Sequence, residues 1–280
     1  MIRDNTLGAR LWALAIWSVV GFFILNLIAL IATVVVDSLG TRWLATWLPA
    51  GWTGHWYGDA WAEFELGDVL SVTFQVAFLV VLFSGLLGVT AAYALARRDF
   101  VGKKALMLLF LLPMLVPPIT YGIPLATVLY KYNLAGSMAG VVLANLVPTV
   151  PFVILVMIPF IEQIDPRIEA AARVFGANTF KLFIHVLLPL FTPAILAALL
   201  LVLVRTIGMF ELTFLTAGPT SQTLVVALYY SVFAAGVRAG QSIDAMAVVY
   251  MISVLFWLVI ALRYVNPTQI VARSKHQNAN

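Results

Sequence analysis

The sequence predicts an all-α, polytopic membrane protein with six transmembrane helices. Of its 280 residues, 63% are hydrophobic and only 10% are charged, which excludes the ordinary classes of soluble protein. Several apolar runs reach the roughly 20 residues that a helix needs to cross a bilayer. The chain contains no cysteine, so structural disulfides, thiolate metal sites and cysteine nucleophiles are excluded.

Each apolar run predicts one element, in chain order. The first span is too long for a signal-peptide core and no small-residue cleavage site follows it, so we expect it to be retained. A run at residues 224–236 follows the turn signal AGPTSQ, and its 13 residues favour a re-entrant or interfacial helix over a span. The six predicted spans lie at residues 11–36, 69–96, 105–130, 137–161, 189–215 and 244–264.

The distribution of basic residues predicts the orientation of the spans. Of the 16 Lys and Arg residues, twelve fall on the side of the N-terminus, three fall on the opposite side and Arg205 lies within a span. Basic residues near span ends are held in the cytoplasm, so both termini are expected to be cytoplasmic. The opposite side then holds the loop at residues 37–68, which carries five acidic residues and five tryptophans. These rings are interpreted as resting at the headgroup level, or alternatively as a docking surface for a soluble partner.

The longest loop on the side of the termini, residues 162–188, interrupts the apolar sequence with two predicted helices. Asp165 can cap free amides and Pro166 suits the first helical position, so a helix is expected to begin there. Gly176 supplies a left-handed stop. Asn178 can cap a second helix, which is expected to run from Thr179 to Leu188 until Pro189 redirects the chain.

Each helix of loop 162–188 is expected to present one apolar stripe. A slim helix of this kind, outside the lipid, is suited to a groove on another protein. The alternative is a loop that packs only on its own spans. The stripes comprise Ile168, Ala171, Ala172 and Phe175 on the first helix, and Phe180, Phe183, Ile184 and Leu187 on the second.

The same loop resembles a known motif. Residues 171–177 read AARVFGA, and Val186, Leu188 and Pro189 follow Gly176 after ten, twelve and thirteen residues. This arrangement resembles the EAA loop of ABC-importer permeases, E-A-A-x-x-x-G-x9-I-x-L-P. The glutamate of the motif falls on Ala170, whereas this chain has Glu169 one place earlier.

The resemblance implies the type I ABC importer permease fold and a single transmembrane permease domain over residues 1–280. Within that domain it implies a first span with a periplasmic loop at 1–68, a five-span core at 69–264 with the coupling loop 162–188, and a cytoplasmic tail at 265–280. The coupling loop of such permeases inserts into a cleft of a cytoplasmic ATPase. The residues that would make this contact are Glu169, Ala170, Ala171, Ala172, Phe175, Gly176, Ala177 and Phe180.

The resemblance also implies the partners and the location. They are a cytoplasmic ATPase dimer that carries ATP and Mg, a second permease subunit, a periplasmic substrate-binding protein and the lipid bilayer of the bacterial inner membrane. The second permease is either identical or a non-identical homologue, and this branch favours the latter. The chain itself has no G-x-x-x-x-G-K-[ST] loop to bind phosphates, so no cofactor is expected on it. No nucleic-acid partner is expected.

Polar residues at membrane depth are candidates for the substrate path. Arg205 and Glu211 lie within the predicted fifth span, where charges are costly and usually face a cavity. Glu211 would instead lie at the outer interface if the span ended one turn earlier. Thr73, Gln75, Asn145 and Thr206 either bond neighbouring spans or contact the substrate. The prolines of PMLVPP and PTVPF predict kinks in the third and fourth spans, which either allow rearrangement or reflect the ordinary frequency of proline in spans.

The predicted function is an ATP-driven permease for a small polar or charged solute. The LTAGPTSQT segment and the chain length resemble permeases grouped with polyamine importers, which also serve opines, phosphonates and other organic ions. Glu211 suits a cation and Arg205 an anion. An ion-coupled carrier or channel is the alternative, and a membrane-embedded enzyme is less favoured because no nucleophile–base pair is found. No catalytic residue is therefore expected. The three histidines lie in different loops or tails with no second ligand at a metal spacing, so no metal site is expected.

Overall fold

The structure, a computed structural model, describes residues 7–44, 46–233 and 239–264. Within this part of the chain every regular element is a helix, apart from an isolated bridge between Gly40 and Trp52. The predicted tail at 265–280 lies outside the described residues. The helices are α1 (Leu7–Leu39), α2 (His55–Glu63), α3 (Leu66–Arg97), α4 (Lys103–Leu115), α5 (Pro118–Lys131), α6 (Met138–Glu162), α7 (Pro166–Val174), α8 (Thr179–Leu182), a π-helical turn (Phe183–Leu187), α9 (Leu188–Ile207), α10 (Glu211–Thr216), α11 (Leu224–Phe233) and α12 (Gly240–Tyr264).

Five helical segments in the described residues are long and apolar enough to cross a membrane, and these are Leu11–Leu39, Leu66–Arg97, Met138–Glu162, Thr179–Ile207 and Gly240–Arg263. The all-α membrane fold is therefore confirmed. The apolar run after AGPTSQ forms α11, which has 10 residues and is too short for a span, as predicted. The end of that predicted run, residues 234–236, lies outside the described part of the chain.

The predicted third span, 105–130, is bent sharply at the prolines that predicted a kink. It is divided into α4 and α5, which meet at an angle of 100°, so the pair forms either a broken span or a re-entrant loop. The break follows from Val116 and Pro117, which both precede a proline and both have a ψ of 133°. A proline disfavours the helical conformation in the residue before it, and two such residues in succession end the helix.

The predicted fifth span, 189–215, is displaced towards the N-terminus. The chain does not turn at Pro189, because α8 continues through the π-helical turn into α9 and the three form one segment that ends at Ile207. Pro189 lacks the N–H that would bond the carbonyl of His185. His185 lies in the π-helical turn, whose wider hydrogen-bond spacing accommodates the missing bond.

The chain divides into two compact units. One unit comprises the described residues up to Glu65 and those from Ser231 to Val249. In it, loop 37–68 is folded back on itself by hydrogen bonds from Thr41 N to Gly51 O at 3.0 Å and from Trp56 Nε1 to Gly40 O at 2.8 Å. The other four tryptophans of the loop, Trp43, Trp47, Trp52 and Trp61, are exposed.

The other unit comprises residues 66–230 and the described residues from Tyr250 onward. Its core lies between α3, α6 and α9 and includes Val80, Met157 and Phe191, which are at most 1% exposed. Small residues let membrane helices approach closely. Gly88 of α3 does so here, since a Cβ atom at this position would lie 2.6 Å from Cβ of Val153 in α6.

Candidate functional site

Loop 162–188 folds as a capped helix, a glycine turn and a second capped helix. The Asp165 carboxylate accepts a hydrogen bond from Arg167 N at 2.9 Å, and Asn178 Oδ1 accepts one from Lys181 N at 2.8 Å. Both predicted caps are therefore confirmed.

Gly176 ends α7 in the predicted left-handed conformation, with a φ of +84°. Gly176 N donates to Arg173 O at 2.9 Å and Ala177 N donates to Ala172 O at 3.0 Å. These two bonds are those of the Schellman motif, which satisfies carbonyl groups left free at a helix end. The turn between α7 and α8 is thus defined by its own backbone bonds.

The residues predicted to contact an ATPase divide between two faces. Phe175 and Phe180 are 91% and 71% exposed. Ala172 and Ala177 instead pack against the core between α3, α6 and α9, and Glu169 is buried. The exposed members of the predicted set are Ala170, Ala171, Phe175, Gly176 and Phe180.

The two apolar stripes predicted from spacing are also divided. On the first helix, Ile168 and Phe175 are exposed while Ala172 faces the core. On the second, Leu187 is buried and Phe183 is partly buried against the same core. Each predicted stripe is therefore shared between an outer surface and the face that rests on the chain's own spans, so features of both predicted alternatives are present.

Glu169 and three residues near it form a hydrogen-bonded group that we call the Glu169 junction: Tyr93, Arg97, Ile164 and Glu169. Tyr93 Oη donates to Glu169 Oε2 at 2.7 Å, and Arg97 Nε donates to Glu169 Oε1 at 2.7 Å. Arg97 Nη2 donates to the carbonyl oxygen of Ile164 at 2.7 Å. The junction therefore joins α7, and the short segment between α6 and α7, to the last two turns of α3.

Arg97 and Glu169 form a largely buried ion pair at the ends of two helices. The side chains of Arg97 and Glu169 are only 14% and 8% exposed, so water screens their attraction weakly. Arg97 is in the last turn of α3 and Glu169 is in the first turn of α7. A cation at a helix C-terminus and an anion at a helix N-terminus are each stabilised by the helix dipole.

Sequence reasoning did not identify Tyr93 or Arg97 as site residues. Arg97 was used only to orient the spans, and Tyr93 carried no motif. Glu169 is 72 residues from Arg97 in the sequence, so no local spacing rule connects them. The only available signal was the displacement of the glutamate from the motif position at Ala170.

The polar residues of α3 have local partners. Thr73 is buried, and its hydroxyl donates to Val69 O at 2.7 Å and accepts from Leu224 N, the first residue of α11, at 2.8 Å. Thr73 therefore holds the start of α11. Gln75 is exposed and its side chain bonds Ser71 Oγ at 2.8 Å, so it does not line an interior surface of this chain.

Asn145 of α6 is fully buried and only half satisfied. Its Nδ2 donates to Val141 O at 2.9 Å and to Thr213 Oγ1 of α10 at 3.2 Å. Its Oδ1 has no hydrogen-bond partner among the residues that the structure describes. Thr206 donates to Val202 O in its own helix.

Arg205 and Glu211 are not in one span. Arg205 is in the last turn of α9, which ends at Ile207, and Glu211 begins α10 after an interruption at residues 208–210. The prediction that Glu211 lies within the fifth span is therefore wrong, because that span begins and ends earlier in the sequence than predicted. Neither residue forms an ion pair with another described residue.

Arg205 is half-buried beside aromatic groups. Its guanidinium carbon lies 5.8 Å from the centroid of the Phe152 ring, within the range of a cation–π contact. The Tyr121 hydroxyl of α5 is buried without a partner among the described residues and lies within electrostatic reach of Arg205 and Glu211. The surroundings of Tyr121 thus contain a cation and a carboxylate that form no ion pair with other described residues, and a hydroxyl without a partner.

Comparison with known proteins identifies similar membrane transport proteins. Residues 84–271 match the family described as "Binding-protein-dependent transport system inner membrane component". The molybdenum transport system permease protein ModB of Haemophilus influenzae is 32% identical over 179 residues, which cover 58% of this chain and 78% of that protein. The sulfate transport system permease protein CysT of Salmonella typhimurium is 27% identical over 179 residues, which cover 60% of this chain and 64% of that protein.

A solved structure shares the fold. The crystal structure of a bacterial ABC transporter involved in the import of the acidic polysaccharide alginate contains a chain that matches with a TM-score of 0.75. The match covers 94% of this chain and 99% of that chain at 17% identity.

Proposed function

The chain belongs to the family of binding-protein-dependent transport system inner membrane components, and from this premise we propose that it forms half of the translocation path of an ATP-driven importer for a small oxyanion. It is a multi-pass permease subunit of an ABC importer and not an enzyme, like its molybdenum and sulfate relatives. ATP hydrolysis is the work of a separate ATPase, which carries the ATP and Mg.

The coupling role of loop 162–188 is supported by the exposed side chains around its glycine turn. Phe175 and Phe180 present large apolar surfaces next to capped, well-defined helix ends. A short helix with exposed apolar anchors and a firmly packed opposite face suits a groove on a partner protein. In this proposal the exposed residues Ala170, Ala171, Phe175, Gly176 and Phe180 contact the ATPase, and Ala172 and Ala177 support the loop from behind.

The substrate is proposed to be an oxyanion such as molybdate or sulfate. The comparisons do not support the polyamine branch that the LTAGPTSQT segment suggested, since the relatives described above are named for molybdenum and sulfate transport. Arg205 supports the anionic choice, because a half-buried cation without a carboxylate partner can attract an anion at membrane depth. The Tyr121 hydroxyl, also without a partner in the described chain, can donate to an anionic oxygen.

The remaining assignments follow the family. We propose a single permease domain over residues 1–280 with both termini in the cytoplasm of a bacterial cell, set in the inner membrane. Its partners in this proposal are an ATPase dimer, a second, non-identical permease and a periplasmic binding protein that delivers the substrate. Thr73 and Asn145 hold helices together in this arrangement, and the exposed Gln75 remains a candidate for the substrate path.

The experiment that tests the proposal is uptake by the complex reconstituted into liposomes with its ATPase, second permease and binding protein. Uptake of molybdate or sulfate should require ATP on the side of the membrane that carries the ATPase. It should persist when ionophores remove all ion gradients. Uptake that needs an ion gradient and no ATP would assign the chain to the ion-coupled carriers instead. Uptake of putrescine without uptake of either anion would contradict the assignment of an oxyanion substrate.

A further inference from the structure

Glu169 faces into the protein although its neighbours on α7 face out. Ala170 and Ala171 are exposed, whereas the Glu169 side chain is only 8% exposed. Successive helical residues are about 100° apart around the axis. Moving the glutamate from the motif position at Ala170 to position 169 therefore turns it from the outer face of α7 to the face that rests on α3.

Both carboxylate oxygens of the inward-facing Glu169 have partners within the chain. One accepts a hydrogen bond from Tyr93 and the other accepts one from Arg97, each at 2.7 Å. The Tyr93 ring also contacts the Phe183 ring edge-to-face, with centroids 5.9 Å apart. Phe183 opens the π-helical turn, so Tyr93 touches both sides of the glycine turn in loop 162–188.

We propose that Glu169 is a positioning residue that fixes loop 162–188 to the C-terminal end of α3, so that movement of the loop is passed directly to α3. The covalent chain connects this loop only to α6 and α9. The Glu169 junction adds a third connection, made by charged hydrogen bonds that are shielded from water. Because Glu169 is occupied within its own chain, it makes no contact with the ATPase.

This inference rests on the proposed function, since it describes how a coupling loop reaches one more span. The first step of the experiment distinguishes a failure of the proposed function from a failure of this inference. If no ATPase co-purifies with the parent protein, the proposed function fails before any variant is compared. If the ATPase co-purifies, the measurements below concern the Glu169 junction alone.

The first measurement is a distance between spin labels on α3 and α7. The chain has no native cysteine, so Leu87→Cys and Val174→Cys, which replace exposed side chains, can be labelled without background. Electron spin resonance on the reconstituted complex then compares the nucleotide-free state with the state trapped by ATP and vanadate. In the parent the interlabel distance should be the same in both states, because α3 and α7 move together.

The variant Glu169→Gln should make that distance differ between the two states. Glu162→Gln is the matched control, since Glu162 is an exposed carboxylate with no ion pair in the described residues, and it should behave as the parent. A distance that changes in the parent, or one that stays constant in Glu169→Gln, overturns the proposal.

A second measurement replaces the ionic connection by a covalent one. In the Arg97→Cys/Glu169→Cys protein, the ratio of sulfate or molybdate taken up to ATP hydrolysed should fall about tenfold. A short bifunctional thiol reagent that links the two cysteines should restore most of that ratio, an effect that a role in folding alone does not produce. Retention of the full ratio before linking, or no recovery after it, contradicts the positioning role.

Discussion

Gly176 has a backbone conformation that side chains resist, although there is space around it. An added Cβ atom would meet nothing within 4 Å, so the cost of a substitution comes from the φ of +84°. For an L-residue the left-handed conformation costs about 1–2 kcal/mol, and asparagine tolerates it better than others. Any effect of a substitution at Gly176 therefore reports backbone strain in the turn and not a steric clash.

Gly176→Val is expected to reduce ATP-driven uptake strongly while the protein still inserts in the membrane, because the turn between α7 and α8 must change shape. Gly176→Asn should retain most of the uptake. The measurement is uptake together with the amount of ATPase that co-purifies. If the Val and Asn variants show equal uptake and equal ATPase recovery, the left-handed turn at Gly176 is not required for coupling.

The variant Arg205→Gln tests whether the Arg205 charge binds an oxyanion substrate. Losing a charged hydrogen bond to a bound anion costs about 1.5–3 kcal/mol, so stimulation of ATP hydrolysis by molybdate or sulfate should fall about tenfold or more. The basal ATP hydrolysis should remain. Arg98→Gln, at the end of α3, is the control and should leave the stimulation intact; a similar loss in both variants would mean that Arg205 does not contact the substrate.

Among the helices, α11 depends on one side chain from another helix. Thr73→Val removes the hydroxyl that accepts from Leu224 N and leaves that amide without its partner. The expected loss of stability is about 0.5–2 kcal/mol, the usual value of an N-cap, and appears as a lower Tm of the purified protein. Thr90→Val is the control, because the Thr90 hydroxyl is exposed and bonds only carbonyls of its own helix; an equal decrease in Tm for both would exclude the capping role.

The contact between α3 and α6 depends on the absence of a side chain. Gly88→Leu should force the two helices apart and destabilise the protein by at least about 1–3 kcal/mol, the cost of overpacking a close contact. The amount of folded protein recovered from the membrane, and its Tm, measure this. Gly21→Leu in α1, where nothing lies within 4 Å, should have little effect. If both variants fold equally well, the close approach at Val153 is not a tight one.

Local rules predicted the elements well and their joins poorly. The caps at Asp165 and Asn178 and the glycine turn depend on neighbours in the sequence, so spacing was sufficient to find them. The prolines at 117 and 118 indicated a kink but not an angle of 100°, which depends on two consecutive residues leaving the helical conformation. Pro189 was expected to break a helix, and the π-helical turn before it removed the need.

For the molecule as a whole, the membrane fold and the family could be predicted from apolar runs and one motif. The Glu169 junction could not, because Arg97 and Glu169 meet only after α3, α6 and α7 have packed. The substrate class was also beyond local reasoning, since Arg205 and Glu211 carry opposite charges and their relation depends on where α9 ends.

The most direct test uses single cysteines in this cysteine-free chain. Phe175→Cys is exposed on loop 162–188, and Ala172→Cys, on the same helix, faces the core. In native membrane vesicles a thiol crosslinker should join Phe175→Cys to a soluble ATPase subunit and should leave Ala172→Cys unlinked. If Phe175→Cys links to no other polypeptide under conditions in which ATP-driven uptake is intact, loop 162–188 does not couple this permease to an ATPase.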